Sequence, residues 1–323
     1  MTDLSQYSID PIGAVQNDYS FIQHLYTQPP TITNTQTNNS YQLYVPDTAR
    51  FFTDIPEVVT ATDELVPETE NTDEWVEKIQ AELQRNDRNQ ITNGYVSTLN
   101  QITDDEITFD TTTYFNARSS LEKHVFNTVQ TKSAQEIDKT FLSGITHTLL
   151  LSPTDTDNTY VIIGRNSQSK AIQFLQYNTA PAGLIEPHHL KETLHNTIKE
   201  HFCEEAPEEL LHNKISFSEF KESFNSEGTT VSITPTSFYI DRFSHSSEIS
   251  TVIHISGQLA DFILEALNPN QEYSTVTNYP LDIFGKNDDF PIDLKDFTRQ
   301  SRVSLLLMLC SEYDHWTLDN RNP

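Results

Sequence analysis

Between residues 143 and 207, apolar runs closed by polar turns are followed by a glycine loop and a helix. Residues 147–151 (HTLLL) read as a strand, 153–158 (PTDTDN) as a polar turn, and 160–164 (YVIIG) as a second strand. That second run is apolar almost throughout, which suits a strand covered on both faces. Residues 165–169 turn the chain, 171–177 form a third strand, and Pro181-Ala182-Gly183 makes a tight turn. A helix is predicted over 190–205. Leu190, Leu194, Ile198 and Phe202 recur every fourth residue and lay a slowly drifting apolar stripe along it. Pro207 is expected to end that helix, because the residue before a proline is pushed out of the α region. Together with helices expected at 258–267 and 302–313, the pattern suits an α/β/α sandwich with helices on both faces of a mixed sheet.

Carboxylates gather in the last turn of this helix. Glu200 and Glu204 are four apart and are therefore neighbours on its surface. Glu205 follows His201 by four, and at about 100° per residue both fall on the side of the apolar stripe. A core-facing carboxylate is costly unless it is paired or holds a cation. Several carboxylates at one helix end suit a hard divalent ion such as Mg2+. A solvated acidic helix end is the other reading, and in an acid-rich chain both stay open. His188, His189, His195 and His201 resemble a metal cluster by composition. His195 and His201 differ by about 120° around the helix, however, so the group reads as surface histidines, with His201 the exception.

The strip 181–207 resembles the Nudix box, in which a Gly is followed by five residues, a Glu, seven residues, and Arg-Glu-aliphatic-any-Glu-Glu-any-Gly. Glu192 is followed by seven residues and then by Glu200-His201-Phe202-Cys203-Glu204-Glu205-Ala206-Pro207. The first Glu, the bulky apolar Phe202 and the Glu-Glu pair match. The segment 181–187 (PAGLIEP) is similar to the loop of Nudix enzymes that cleave nucleoside diphosphate sugars, and Gly164-Arg165-Asn166-Ser167 to a Gly-Arg-Ser turn common in that family. The pattern departs at four places: eight residues separate Gly183 from Glu192, Glu200 replaces Arg, His201 replaces Glu, and Pro207 replaces Gly.

The resemblance implies a Nudix-like α/β/α sandwich with a mixed sheet, preceded by an N-terminal β-containing module. It implies a hydrolase cleaving a pyrophosphate bond in a nucleoside diphosphate derivative with Mg2+ or Mn2+. The metal would be held by Gly183, His201, Glu204 and Glu205, with Glu200, Glu204 and Glu248 in catalytic roles. Arg165 would contact the substrate, and Glu192 would orient the site. The substitutions at Glu200 and His201 imply the alternative, a catalytically inactive Nudix-fold protein that binds a nucleotide or a protein. Imidazole is a poorer Mg2+ ligand than carboxylate and better suits Zn2+ or Mn2+.

Composition narrows the partners. A formal net charge of −27, with 47 acidic against 20 basic residues, repels nucleic acid and anionic membrane. Many acids with few lysines suit a salt-rich, halophilic cytoplasm, where screening tempers self-repulsion. The two cysteines, Cys203 and Cys310, make neither a disulfide framework nor a zinc ligand set. The first residues lack a basic stretch followed by an apolar run, and the longest apolar run, 303–310, is too short to cross a bilayer. A cytoplasmic protein is expected; its oligomeric state is not legible.

Elsewhere the pattern divides the chain into a polar segment (1–40), an N-terminal α+β module (41–142) and the Nudix-like domain with C-terminal helices (143–323). Residues 31–39 read as a loop, 40–45 as a strand and 60–72 as an exposed acidic connection. A helix is expected over 74–83 on Trp75, Ile79 and Leu83. Residues 91–115 read as a meander with turns at Asn93-Gly94 and Asp104-Asp105. Later strands are expected at 214–218, 229–240 and 249–256, and helices at 258–267 and 302–313.

Overall fold

The computed structural model describes residues 25–26, 28–66, 76–77, 80–81, 84, 93–131, 140–167, 176–268, 273–286 and 290–319. In order, the elements are β1 (Thr31–Asn34), β2 (Ser40–Gln42), β3 (Arg50–Phe51), β4 (Val58–Leu65), β5 (Tyr95–Ile102), β6 (Glu106–Thr113) and α1 (Tyr114–Thr131). There follow β7 (Ser143–Ser152), β8 (Tyr160–Asn166), β9 (Tyr177–Thr179), β10 (Ala182–Leu184), α2 (Leu194–Glu209) and α3 (Phe217–Phe224). The rest are β11 (Thr229–Ile240), β12 (Ser247–Gly257), α4 (Gln258–Ala266), β13 (Tyr273–Pro280), α5 (Leu281–Gly285), α6 (Arg299–Glu312) and β14 (Trp316–Asp319).

The central sheet runs β13-β8-β7-β12-β11-β3, with β10 paired to β7 and β9 to β8. It is mixed: β7 and β12 pair in parallel and their other neighbours antiparallel. Alternation along the strands divides the side chains between two cores. Ile145, Leu149 and Leu151 of β7, Ile162 of β8 and Ile249, Ile253 and Ile255 of β12 meet Ile198 and Phe202 of α2. Leu150, Val161 and Val252, facing the other way, meet the apolar run of α6, residues 303–309. Full burial of a side chain such as Phe202 stabilises by about 1.5–3 kcal/mol, so the stripe on α2 suffices to fix that helix on the sheet. The result is the expected α/β/α sandwich with a mixed sheet.

A second sheet, β4-β6-β5, covers the outer side of α2, and Val59, Leu99, Ile107 and Phe109 join the α2 core. Backbone hydrogen bonds tie it to the loop ahead of α2. Val59 N donates to Glu192 O (3.1 Å), Leu194 N to Glu57 O (2.7 Å) and Ser97 N to Ile185 O (2.7 Å). A third sheet, β14-β1-β2, joins residues near the two ends of the described chain.

Several expectations are corrected. The helix is shifted to Leu194–Glu209 and does not end at Pro207. A proline in the last turn forfeits one hydrogen bond, while Leu210 N still reaches Ala206 O at 3.0 Å and Leu210 and Leu211 are buried. Residues 214–218 are not an edge strand. Ser216 caps α3, its hydroxyl bonding Glu219, in a Ser-x-x-Glu capping box. The polar tract 31–39 contains β1, whose partners β2 and β14 supply the hydrogen bonds that its side chains do not advertise. The connection 60–72 is β4 as far as Leu65, in parallel register with β6. Asp104-Asp105 does turn β5 into β6. Most of the helix expected over 74–83, and residues 171–175 of the third strand, lie outside the described residues. No described helix is long and apolar enough to cross a membrane.

Candidate functional site

Thr193 starts α2, its hydroxyl accepting from Asn196 N at 3.2 Å. From there successive side chains step round by about 100°, so the acidic cluster fans out. Glu200 turns to Lys221, Oε2 to Nζ 2.6 Å. Glu204 turns to two histidines, its Oε2 lying 2.7 Å from His188 Nε2 and 2.9 Å from His189 Nε2. Glu205 lies over Gly183, where an added Cβ would stand 2.7 Å from its Oε1 and 3.2 Å from His201 Nε2. The missing side chain at Gly183 is what lets β10 and α2 approach this closely. Gly183→Ala is expected to cost about 1–3 kcal/mol by overpacking, read from chemical denaturation. An unchanged midpoint would show that Glu205 simply swings aside.

His201 points inward and is fully buried. Its Nδ1 lies 2.9 Å from His147 Nε2, and His147 Nδ1 lies 2.6 Å from Thr251 Oγ1. Its Nε2 makes no well-formed hydrogen bond. Burial depresses the His147 pKa to about 3, with His189 nearby adding to the effect. Burial, then His147 and His189, hold His201 well below the usual imidazole range, while the backbone of Gly183 and Leu184 acts the other way. Both rings are therefore neutral at pH 7. His189, the third buried ring, lies 4.9 Å from His201 between centroids. Burial lowers its pKa as well, with His188 adding and Glu204 opposing.

His188, His189 and Glu204 are the described donors close enough to share an ion, their ligand atoms lying within 4.8 Å of one another. One hydrogen bond argues against that use. Glu186 N donates to His189 Nδ1 at 3.0 Å, so in the neutral ring the proton sits on Nε2 and is given to Glu204. A ligating imidazole needs the reverse, a bare Nε2 and a protonated Nδ1. Of the set read from the sequence, Gly183, His201 and Glu205 come together: His201 Nε2 lies 3.9 Å from Glu205 Oε1, and both stand against Gly183. Glu204 faces His188 and His189, Glu205 faces Gly183, and His201 Nδ1 is committed to His147.

Glu248 reaches the same loop from the other side: a Cβ added at Gly144 would stand 3.1 Å from Glu248 Oε2 and 3.5 Å from the Gly183 carbonyl oxygen. Glu248 is paired in register with Gly144 and accepts from Gln300 Nε2 of α6 at 3.3 Å. It alternates with Ile249 and so lies on the α6 side of the sheet. Burial raises its pKa to about 7, against a smaller lowering by Gln300. Arg165 is exposed, with its guanidinium 5.6 Å from the centre of the Tyr177 ring, and Tyr177 packs on Phe297 at the same α6 side. Glu192 is exposed at the foot of α2. Cys203 is buried in the core, which pushes its thiol up to about 12.

Sequence reasoning missed His147 and took His189 for a surface residue. His147 stands in the middle of β7, just ahead of the apolar run 149–151, and that polar intrusion at an inward position is the signal that marks it. The extension of α2 past Pro207 also brings in Glu209, buried and accepting from Ala182 N and Tyr273 Oη, both at 3.1 Å. Glu209 thereby pins the loop that carries Gly183.

No protein-family model matches this chain, and no curated protein does. Among solved structures, a C. elegans Ap4A hydrolase binary complex shares 11% identity over 53% of this chain and 99% of that one, at a TM-score of 0.31. The C. elegans Ap4A hydrolase in another structure shares 12% over 53% and 96%, at 0.28. The Shewanella oneidensis NrtR shares 13% over 53% and 64%, at 0.25. Likeness this slight assigns no chemistry to this chain.

Proposed function

We propose that this chain is a Nudix-like protein whose box helix has become part of a binding module and no longer assembles a pyrophosphate-cleaving centre. The observation that carries this reading is the fate of three consecutive functional positions. Glu200 is paired with Lys221, Glu204 with His188 and His189, and His201 through its Nδ1 with His147, its Nε2 facing Glu205 at 3.9 Å. Each of these partners is supplied by the chain itself, so the box is knitted into the fold. The ligand of such a module is a nucleotide or a partner protein.

A second reading, metal-dependent hydrolysis of a nucleoside diphosphate derivative, is favoured by the approach of Glu205 to Gly183. One assay separates the two. Nucleoside diphosphate sugars and dinucleotides are incubated with Mg2+, Mn2+ or Zn2+ at low and molar salt, with wild type, Glu204→Gln and Glu205→Gln. No turnover by folded wild type is the expected result. Metal-dependent turnover abolished by both substitutions would overturn the binding-module reading.

A further inference from the structure

Three of the chain's eleven lysines, Lys191, Lys199 and Lys221, line one open cleft of about 630 Å³ between α2 and β4. Two carboxylates share it, Glu192 and Glu200, and Val59 and Leu190 supply apolar wall. The cleft thus carries an excess of positive charge in a chain whose net charge is −27. Most of that surface repels a small anion, so a local excess of ammonium groups is where one would be held.

The lysines are also held at the rim of the cleft. Lys221 is paired with Glu200 at 2.6 Å, and that pair leaves no net charge. Lys199 donates to Asn225 Oδ1 at 2.6 Å, and Lys191 to the His188 carbonyl at 2.7 Å. Both acceptors are neutral oxygens, which orient an ammonium group without cancelling its charge. The Lys199 and Lys221 ammonium groups also stand 5.7 Å and 5.1 Å from the ring centres of Phe224 and Phe217. Such contacts hold the amines in place. The volume falls in the range of roughly 300–1,000 Å³ typical of small-molecule sites, whose walls are mostly apolar with a few polar groups.

We propose that this cleft binds a small organic phosphate, its oxyanion between Lys191 and Lys199 and its carbon skeleton against Val59 and Leu190. The site lies on a different face of α2 from Glu205 and Gly183. The inference deepens the binding-module reading by giving it a ligand class, but it rests on the cleft alone.

The test is calorimetric titration with AMP, adenosine and inorganic phosphate, at about 0.1 M salt and again at molar salt, where screening is stronger. AMP is expected to bind, more weakly as salt rises, and adenosine to fail. Lys191→Gln with Lys199→Gln is expected to weaken AMP about tenfold or more, the loss of charge-assisted hydrogen bonds. Glu192→Gln is expected to tighten it. Lys295→Gln, on an exposed pair elsewhere, and Glu204→Gln with Glu205→Gln are expected to leave it unchanged. Circular dichroism melts confirm that each variant is folded. Absence of AMP binding by wild type, or binding indifferent to the lysine substitutions, overturns the cleft. Binding lost only in the Glu204 and Glu205 variant also overturns it, while leaving the binding-module reading intact.

Discussion

Acidification from pH 7 to 5 is expected to destabilise the fold by about 2 kcal/mol more in Glu248→Gln than in the wild type. His147, held near 3, stays neutral in the folded chain throughout this interval, and His201 is shifted the same way by its burial. Unfolded, each titrates near 6.5. Below that value the unfolded state takes up protons that the folded state refuses, so stability falls as pH falls. At pH 5 His147 contributes about 2 kcal/mol to the loss, and His201 acts in the same direction. Glu248 has the opposite sign. Its folded pKa of about 7 lies above the roughly 4.3 of an unfolded glutamate, so between those values the folded chain binds the proton more tightly. Acidification from 7 to 5 therefore returns about 2 kcal/mol through Glu248, about what His147 loses.

The measurement is denaturant unfolding of wild type and Glu248→Gln across pH 7 to 5. The variant should show the steeper loss. Parallel curves would mean that Glu248 titrates normally. A flat curve for the variant would mean that His147 and His201 are charged or solvated in the fold. Salt should alter the result little, because desolvation of buried rings, not long-range charge, sets their pKa values.

The two-sided burial of the central sheet was legible because β8 is a run of apolar residues and α2 carries a four-residue repeat. The direction of the box side chains was not. Spacing places Glu200, Glu204 and Glu205 in one turn, but the partners that decide where each points, Lys221, His188, His189 and Gly183, come from before and after that turn. His147 lies 54 residues from His201 and meets it only because β7 lies under α2. Pro207 misled because a local rule about backbone freedom was overridden by burial of the residues beyond it. Ser216 and Glu219, by contrast, formed a readable capping box that was passed over in favour of a short β-prone run.

Replacement of Arg299 by methionine is expected to cost about 3–5 kcal/mol, although Arg299 lies on the far side of the sheet from the box helix. Arg299 is 1% exposed and pairs with Asp241, which is wholly buried. Its Nη1 also donates to Tyr26 Oη at 3.1 Å. Asp241 closes the turn between β11 and β12, its Oδ1 accepting from Phe243 N at 2.6 Å and Ser244 N at 2.9 Å. The pair thus joins three separate parts of the chain: the first turn of α6, that connection and Tyr26. A buried pair returns little net stability over an apolar replacement, but removing one partner strands the other charge. Asp241→Asn added to Arg299→Met should therefore recover part of the loss, because the amide oxygen still accepts the two backbone donors and no charge is left behind. The exposed pair Lys295–Asp293, at 2.7 Å, supplies the control: Lys295→Met should change stability by about 0.5 kcal/mol or less. Equal losses from Arg299→Met and Lys295→Met in denaturant unfolding would show that the Arg299 guanidinium is solvated. No recovery in the double variant would show that Arg299 acts through packing against Tyr26, not through the charge on Asp241.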